Sequence, residues 1–379
     1  MPYWRLSAYY LFYFGALGAL VPFWGVYLQD HGFSAAAIGA LMAILMGTKL
    51  VAPLLCGWLA DHLSTRMPLV QGAALLTWVT FLGIFWAESL WSVAVVMLVF
   101  SFFWNAALPQ MESVTFNHLG AAANRYARVR LWGSVGFVLV VGLLGWWVGV
   151  AGTQVIPGVV LVLFVAVGVS AWLVPDCPHP HHAQPAPVMR AVLMRPEIIS
   201  FLLTCFLMQF GHGIYYAFYS IRLEAVGYQS ATIGALWALG VVAEVLVFMR
   251  MHWLLERFGA RWILLASLLL AVLRWNLIGL LATSLGVQVV AQLLHAATFG
   301  AFHAASIHLV HHYFPGAIQG RGQALYNSLS FGAGGGAGSL LGGQFWEPLG
   351  AAPTFALAAL AAALGWLCTW VWVDRSRRF

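Results

Sequence analysis

The chain has 379 residues, 62% of them hydrophobic and only 7% charged, with a mean hydropathy of +0.88. A soluble domain carries about 25% charged residues, so this composition excludes a water-soluble surface. The net charge of +6 would suit nucleic acid, but the basic residues gather in short loops, which is a membrane-orientation pattern, and no nucleic-acid partner is expected.

Apolar segments near or above the roughly 20 residues needed to cross a bilayer recur at 6–29, 35–60, 67–87, 90–117, 129–150 and 155–174. The second half gives 197–221, 231–254, 262–284, 287–310, 321–346 and 350–373. The first run is too long for a cleaved signal peptide and lacks a small-residue cleavage site. Residues 175–196 hold six prolines and three histidines and read as a linker. The expected fold is therefore an all-α membrane protein with six-helix halves over 1–174 and 197–379.

The halves are related. Sliding the sequence by 195 positions puts Leu28 on Leu223, Gly32 on Gly227, and Ile38-Gly39-Ala40-Leu41 on Ile233-Gly234-Ala235-Leu236. Ala43 then falls on Ala238, Leu59 on Leu254, Asp61 on Glu256 and Arg66 on Arg261, while Lys49 falls on Glu244 with its charge reversed. In a membrane chain such parallel repeats mark a transporter with its site between them.

Arginine sets the orientation. With both termini cytoplasmic, the inner segments collect Arg5, Arg66, Arg125, Arg128, Arg130, Arg190, Arg195, Arg250, Arg257, Arg261, Arg321, Arg375, Arg377 and Arg378, fourteen of the seventeen Lys and Arg. Only Arg222 falls outside, at a membrane edge, so the linker is cytoplasmic. Lys49 and Arg274 lie inside apolar segments.

The run Gly57-Trp58-Leu59-Ala60-Asp61-His62-Leu63-Ser64-Thr65-Arg66 resembles the loop signature of the major facilitator superfamily. A degenerate copy, Leu254-Leu255-Glu256-Arg257-Phe258-Gly259-Ala260-Arg261, stands where that fold repeats it. More narrowly, Tyr126-Ala127-Arg128-Val129-Arg130-Leu131-Trp132-Gly133-Ser134, together with Glu244, Arg274-Trp275 and His295, resembles the phenylpropionate permease family, relatives of the lactose and nucleoside proton symporters. The resemblance implies twelve helices in two pseudo-symmetric bundles, alternating access and proton-coupled uptake, with Gly57, Asp61, Arg66, Glu256 and Arg261 in the conformational loops. One departure stands out: lactose permease-like proteins carry a carboxylate one turn after the helix-ten histidine, whereas here Thr298 follows His295 by three residues.

Buried charge points the same way. A charge at mid-bilayer costs about 2.5 to 3.5 kcal/mol on insertion scales, so it faces a cavity or a partner and marks function. Glu244 lies midway along the eighth segment, Arg274 midway along the ninth, and His295 a third of the way into the tenth. Desolvation favours a protonated carboxyl and a nearby arginine an ionised one, so this trio is a candidate proton-coupling network; a static charge pair that orders the helices is the plainer reading.

Glu112 and Arg130 form a second set near the inner ends of the fourth and fifth segments, where a bidentate pair is expected. Glu112 is a further proton-carrier candidate, and Arg130 a gate or anion receptor, or else a snorkelling interface residue. Asn105 shares a helix face with Glu112. Lys49, the repeat partner of Glu244, is expected to face the seam between the halves and to contact substrate. Across Lys49, Arg130, Arg274, Glu112 and Glu244 the sum is three positive minus two negative, or +1, which welcomes a monoanion.

Aromatic stripes lie on the first and seventh helices. Tyr9, Tyr13, Leu20, Trp24 and Tyr27 fall within about 60° of one another, and Gln209, His212, Tyr216 and Tyr219 follow i, i+3, i+7, i+10 spacing. Tyr13, Trp24, His212 and Tyr216 are substrate candidates, with His303 two turns beyond His295 a further one. Tyr9 and Tyr27, near the helix ends, suit an interfacial belt.

Other motifs lead elsewhere. Gly332-Ala333-Gly334-Gly335-Gly336-Ala337-Gly338 lacks the Gly-Lys-Ser of a phosphate loop and fits close helix packing. His179, His181 and His182, and His308, His311 and His312, have no acid or cysteine to complete a metal site, and the scattered Cys56, Cys177, Cys205 and Cys368 offer neither a disulfide framework nor a cage. No catalytic constellation appears and no cofactor is expected. The reading is a monomeric proton symporter of a bacterial inner membrane, not an enzyme, taking up a small aromatic organic acid. A sugar or nucleoside symporter is the near alternative, and a non-transporting receptor or scaffold on the same fold the distant one.

Overall fold

The glycines that the repeat superposes close the first helix of each half. Gly32 and Gly227 adopt φ of +81° and +94°, a conformation open to glycine without strain, and each ends a long helix before a short turn into the next. The computed structural model describes residues 2–60, 62–63, 65–177 and 189–374, without the side chains of 121, 123, 124, 190, 191 and 317. Asp61 of the loop signature, linker residues 178–188 with their three histidines, and the arginines beyond Asp374 lie outside the described residues.

The described chain is helical throughout: α1 (Tyr3–Asp30), α2 (Ala35–Ala60), α3 (Met67–Trp86), α4 (Leu90–Leu119), α5 (Tyr126–Ala151), α6 (Val155–Leu173), α7 (Pro196–Ala225), α8 (Ser230–Phe248), α9 (Met251–Leu280), α10 (Leu285–Tyr313), α11 (319–349) and α12 (Ala351–Trp372). Eleven are long and apolar enough to cross a membrane. The remaining one, α11, is the glycine-rich helix, whose small residues lower its hydropathy. Within the linker, Met189–Leu193 forms a helical turn. Contacts divide the chain into two compact units, Met1–His182 with Tyr228–Ala238, and Ala183–Gly227 with Leu239–Phe379.

Packing repeats within the units. In the first, α1 lies on α5 and α6, α2 on α4, and α3 on α4 and α6; in the second, α7 lies on α11 and α12, and α9 on α10 and α12. Small residues allow the closest approaches. A Cβ on Gly136 would strike the Leu11 carbonyl and one on Gly18 would come within 2.9 Å of the Phe137 carbonyl. In the second unit, Gly338 faces the Phe210 carbonyl and Gly213 the Gly335 carbonyl, and the Ser339 hydroxyl donates to the Gly213 carbonyl at 3.0 Å. The glycine run is a packing face, since without hydrophobic drive membrane helices associate through such contacts.

Three local features depart from the expected spans. The eighth span ends at Phe248 rather than 254, and the chain re-enters a helix at Met251. That helix is broken at Gly259, φ +76° and ψ 157°, so α9 proper begins after it. Finally, α10 and α11 each contain a π-helical segment, Ala296–Ala301 and Ser328–Gly334, a wider turn often found at functional sites.

Candidate functional site

In the second unit the predicted ionisable residues assemble. Arg274 on α9 is fully buried. Its Nε donates to the Ala291 carbonyl at 2.9 Å, and Nη1 donates to Thr298 Oγ1 at 3.1 Å and faces His212 Nε2 at 3.5 Å. The guanidinium carbon lies 4.4 Å from the centre of the Tyr215 ring and 4.6 Å from that of Trp275. These contacts are neutral acceptors and aromatic faces, which hold a cation without cancelling its charge.

His212 supports the arginine from α7. Its Nδ1 lies 3.0 Å from the Met208 carbonyl one turn back; since a carbonyl only accepts, Nδ1 carries the proton and Nε2 offers a lone pair to Arg274. The ring of His295 stands 6.0 Å from that of His212, and His295 Nε2 lies 3.6 Å from Glu244 Oε2. Both side chains are largely enclosed, at 7% and 16% exposure. Arg274, His212, His295 and Glu244 thus form a chain across four helices.

The depths need revision. Glu244 stands four residues before the end of α8, not midway, because that helix stops early. It is nonetheless level with the middle of α10, where a Cβ on Gly300 would lie 3.0 Å from Glu244 Cγ. The π segment begins just after His295 and sets Thr298 towards Arg274; the position that departs from the lactose permease-like pattern is an arginine acceptor. His303 bonds Tyr326 on α11 at 2.9 Å and, through Phe299, stacks in line with His295. Tyr216 is half-buried, its ring 5.8 Å from that of His212.

In the first unit the expected Glu112–Arg130 ion pair does not form. Tyr126, at the start of α5, donates its hydroxyl to Glu112 Oε1 at 3.1 Å, and Arg130 lies flat on Phe14 with its guanidinium carbon 3.6 Å from the ring centre. A phenol one turn before the arginine satisfies the carboxylate, and an aromatic face on α1 holds the cation. Arg130 makes no hydrogen bond to any described residue.

Other first-unit candidates have structural work. Asn105 Nδ2 donates to the Leu45 carbonyl at 3.1 Å and to Thr48 Oγ1 at 2.8 Å, tying α4 to α2. Trp24 is fully buried and faces the first unit's own interior, donating to Met97 Sδ at 3.4 Å and packing on Phe81. Tyr9 is fully buried too, not a belt residue, because α1 is surrounded within its unit. Tyr13 is buried, stacks on Trp104 and donates to its carbonyl at 3.2 Å. Lys49 is half-buried, with Nζ 3.7 Å from Met46 Sδ.

The loop-motif arginines anchor to helices of their own units. Arg66 donates to Gln110 and Ser113 of α4, both at 3.1 Å, and Arg261 to the Trp370 carbonyl of α12 at 2.8 Å. Glu256 lies 3.2 Å from His252 on an exposed turn, and Gly57 sits in open space. Sequence reasoning missed Phe14, Tyr215 and Gln292, the last accepting the Tyr215 hydroxyl at 3.0 Å. The adjacency of Tyr215 to the His212 stripe was the available signal.

Comparison with known proteins matches residues 3–357 to the MFS_1 like family. The chain is 32% identical over 366 residues to a probable 3-phenylpropionic acid transporter of Escherichia coli (strain K12), covering 94% of each. Over 148 residues it is 34% identical to a maltose permease of Geobacillus stearothermophilus, 38% of this chain and 37% of that one. Its fold matches the crystal structure of the nucleoside transporter NupG with a TM-score of 0.83, at 17% identity over 98% of each chain.

Proposed function

The chain belongs to the MFS_1 like family, and from that premise we propose that it couples inward proton movement to the uptake of a small aromatic monocarboxylate of the 3-phenylpropionate type. It is a multi-pass membrane transporter of the major facilitator kind, not an enzyme. The proton step rests on one observation above the rest: Glu244 is an enclosed carboxylate 3.6 Å from a histidine, on a π-distorted helix crossing. Such a group takes a proton when its surroundings dry and releases it when water or a cation reaches it.

The likeness to a probable 3-phenylpropionic acid transporter supports the substrate class, as does Arg130, whose donors are uncommitted and whose guanidinium suits a planar carboxylate. Lys49, Tyr216 and His303 are further contacts in this reading, and Glu112 a second protonatable group. Two six-helix bundles, 1–174 and 197–379, joined by a cytoplasmic linker, would alternate access in a monomer of a bacterial inner membrane. A thiol reagent that cannot cross the membrane should then leave Cys177 unlabelled in intact cells; labelling from outside would invert the orientation.

Uptake of radiolabelled 3-phenylpropionate into proteoliposomes tests the reading. Accumulation should follow an imposed inward proton gradient and vanish when it is collapsed, and Arg130→Ala should weaken binding about tenfold to a hundredfold, the worth of charge-assisted bonds. Gradient-independent uptake would remove the coupling, and wild-type affinity in Arg130→Ala would make that arginine an interface residue. A sugar or nucleoside is the second reading, favoured by the maltose permease match and the nucleoside transporter fold; competition by maltose or uridine, with none by 3-phenylpropionate, would establish it.

A further inference from the structure

Arg130 is held in an unusual way. In most buried or half-buried settings an arginine is fixed by carboxylates or carbonyls through its own N–H groups; here it is fixed by its face. Phe14 of α1 lies under the guanidinium at 3.6 Å, and no described residue accepts from its donors.

The backbone makes room for this stack. On the ideal position for a Cβ at Gly133, Arg130 Nη1 would be 2.6 Å away and Phe14 Cδ2 2.7 Å away. Real Cβ atoms do not approach so closely, so any side chain at 133 must shift the guanidinium or the ring. Gly133 stands one turn after Arg130 and one turn before Gly136, whose contact with the Leu11 carbonyl brings α1 against α5. The same close crossing therefore delivers Phe14 to Arg130.

The natural counter-ion is kept away. Tyr126 donates to Glu112, and its ring is clamped by Phe116, stacked at 4.5 Å, and by Tyr10, edge-on at 6.4 Å. Glu112 remains within electrostatic reach of Arg130 without bonding it.

We propose that Phe14 and Gly133 are positioning residues that present the donor edge of Arg130 to the single carboxylate of an aromatic monoacid, while Tyr126 holds Glu112 off that edge. An arginine gripped by its face keeps its in-plane N–H groups for a planar acceptor, which selects carboxylate over hydroxyl. This inference rests on the substrate class proposed above.

The test is binding of 3-phenylpropionate and of its neutral amide, 3-phenylpropanamide, to the full-length protein in nanodiscs. Phe14→Leu removes the aromatic face and should weaken carboxylate binding about threefold to thirtyfold, the range of a cation–π contact, while leaving amide binding unchanged. Phe14→Tyr keeps the face and should bind within about twofold of the wild type. Tyr126→Phe, which leaves packing intact, frees Glu112 to close on Arg130 and should lower carboxylate affinity selectively; Gly133→Ala should do the same by displacing the stack. Unchanged carboxylate affinity in Phe14→Leu, or equal loss for both probes, would overturn the inference alone. A wild type that binds neither probe would overturn the substrate class, and this inference with it.

Discussion

Where α2 crosses α4, a ladder of neutral polar groups holds the helices together: Asn105 donates to the Leu45 carbonyl and Thr48, and Thr48 donates to Ser101 at 3.0 Å. Where α8 crosses α10, the ladder is gone. The 195-residue repeat carries Leu45 to Gly240, Thr48 to Ala243, Ser101 to Ala296 and Asn105 to Gly300, and every rung becomes alanine or glycine. Into that cleared crossing comes Glu244, the repeat partner of Lys49, with its Cγ against Gly300 and its carboxylate facing His295. One copy spends its polar atoms on a fixed contact. The other trades them for small residues and leaves an ionisable group inside, which is what a proton-coupling element requires.

The largest effect should come from Glu244→Gln, which imitates the protonated carboxyl permanently. This variant should exchange substrate at equal concentrations but fail to concentrate it under any pH gradient, and measured uphill accumulation would pass the proton role to His295 or Glu112. A smaller effect is expected from Gly300→Ala, whose Cβ at 3.0 Å from Glu244 Cγ must shift the carboxylate relative to His295. The accumulation ratio should fall while exchange persists; an unchanged ratio would mean that the close approach is mere packing. The smallest functional change belongs to Asn105→Ala, which removes two interhelical bonds worth about 0.6 to 2 kcal/mol each. It should lower the unfolding temperature and leave the accumulation ratio intact, so a loss of coupling there would erase the contrast between the crossings.

Much of this was legible in the residues. The repeat, the spans and the buried Glu244, Arg274 and His295 follow from hydropathy and charge, because a membrane tolerates few exceptions to either. The neutral partners were not. Thr298 meets Arg274 only because α10 widens into a π turn, and one extra residue in a turn leaves no hydropathy signal. The Glu112–Arg130 pair read from opposite charges on neighbouring helix ends, yet Tyr126 and Phe14 compete for those groups and win. Trp24 read as a substrate contact and Tyr9 as a belt residue, yet both are buried within the first unit, because a helix apolar on all sides carries no mark of which side opens. The early end of α8 was hidden because residues 249–254 remain mostly apolar after the helix breaks.

The central claim, that the proton travels on the second unit's carboxylate, is tested most directly by recording lumenal pH while 3-phenylpropionate enters proteoliposomes down its own gradient, with no pH difference imposed. The wild type should acidify the lumen beyond protein-free vesicles in step with substrate entry, and Glu244→Gln, which still exchanges substrate, should add no acidification. Equal acidification by Glu244→Gln would contradict the account.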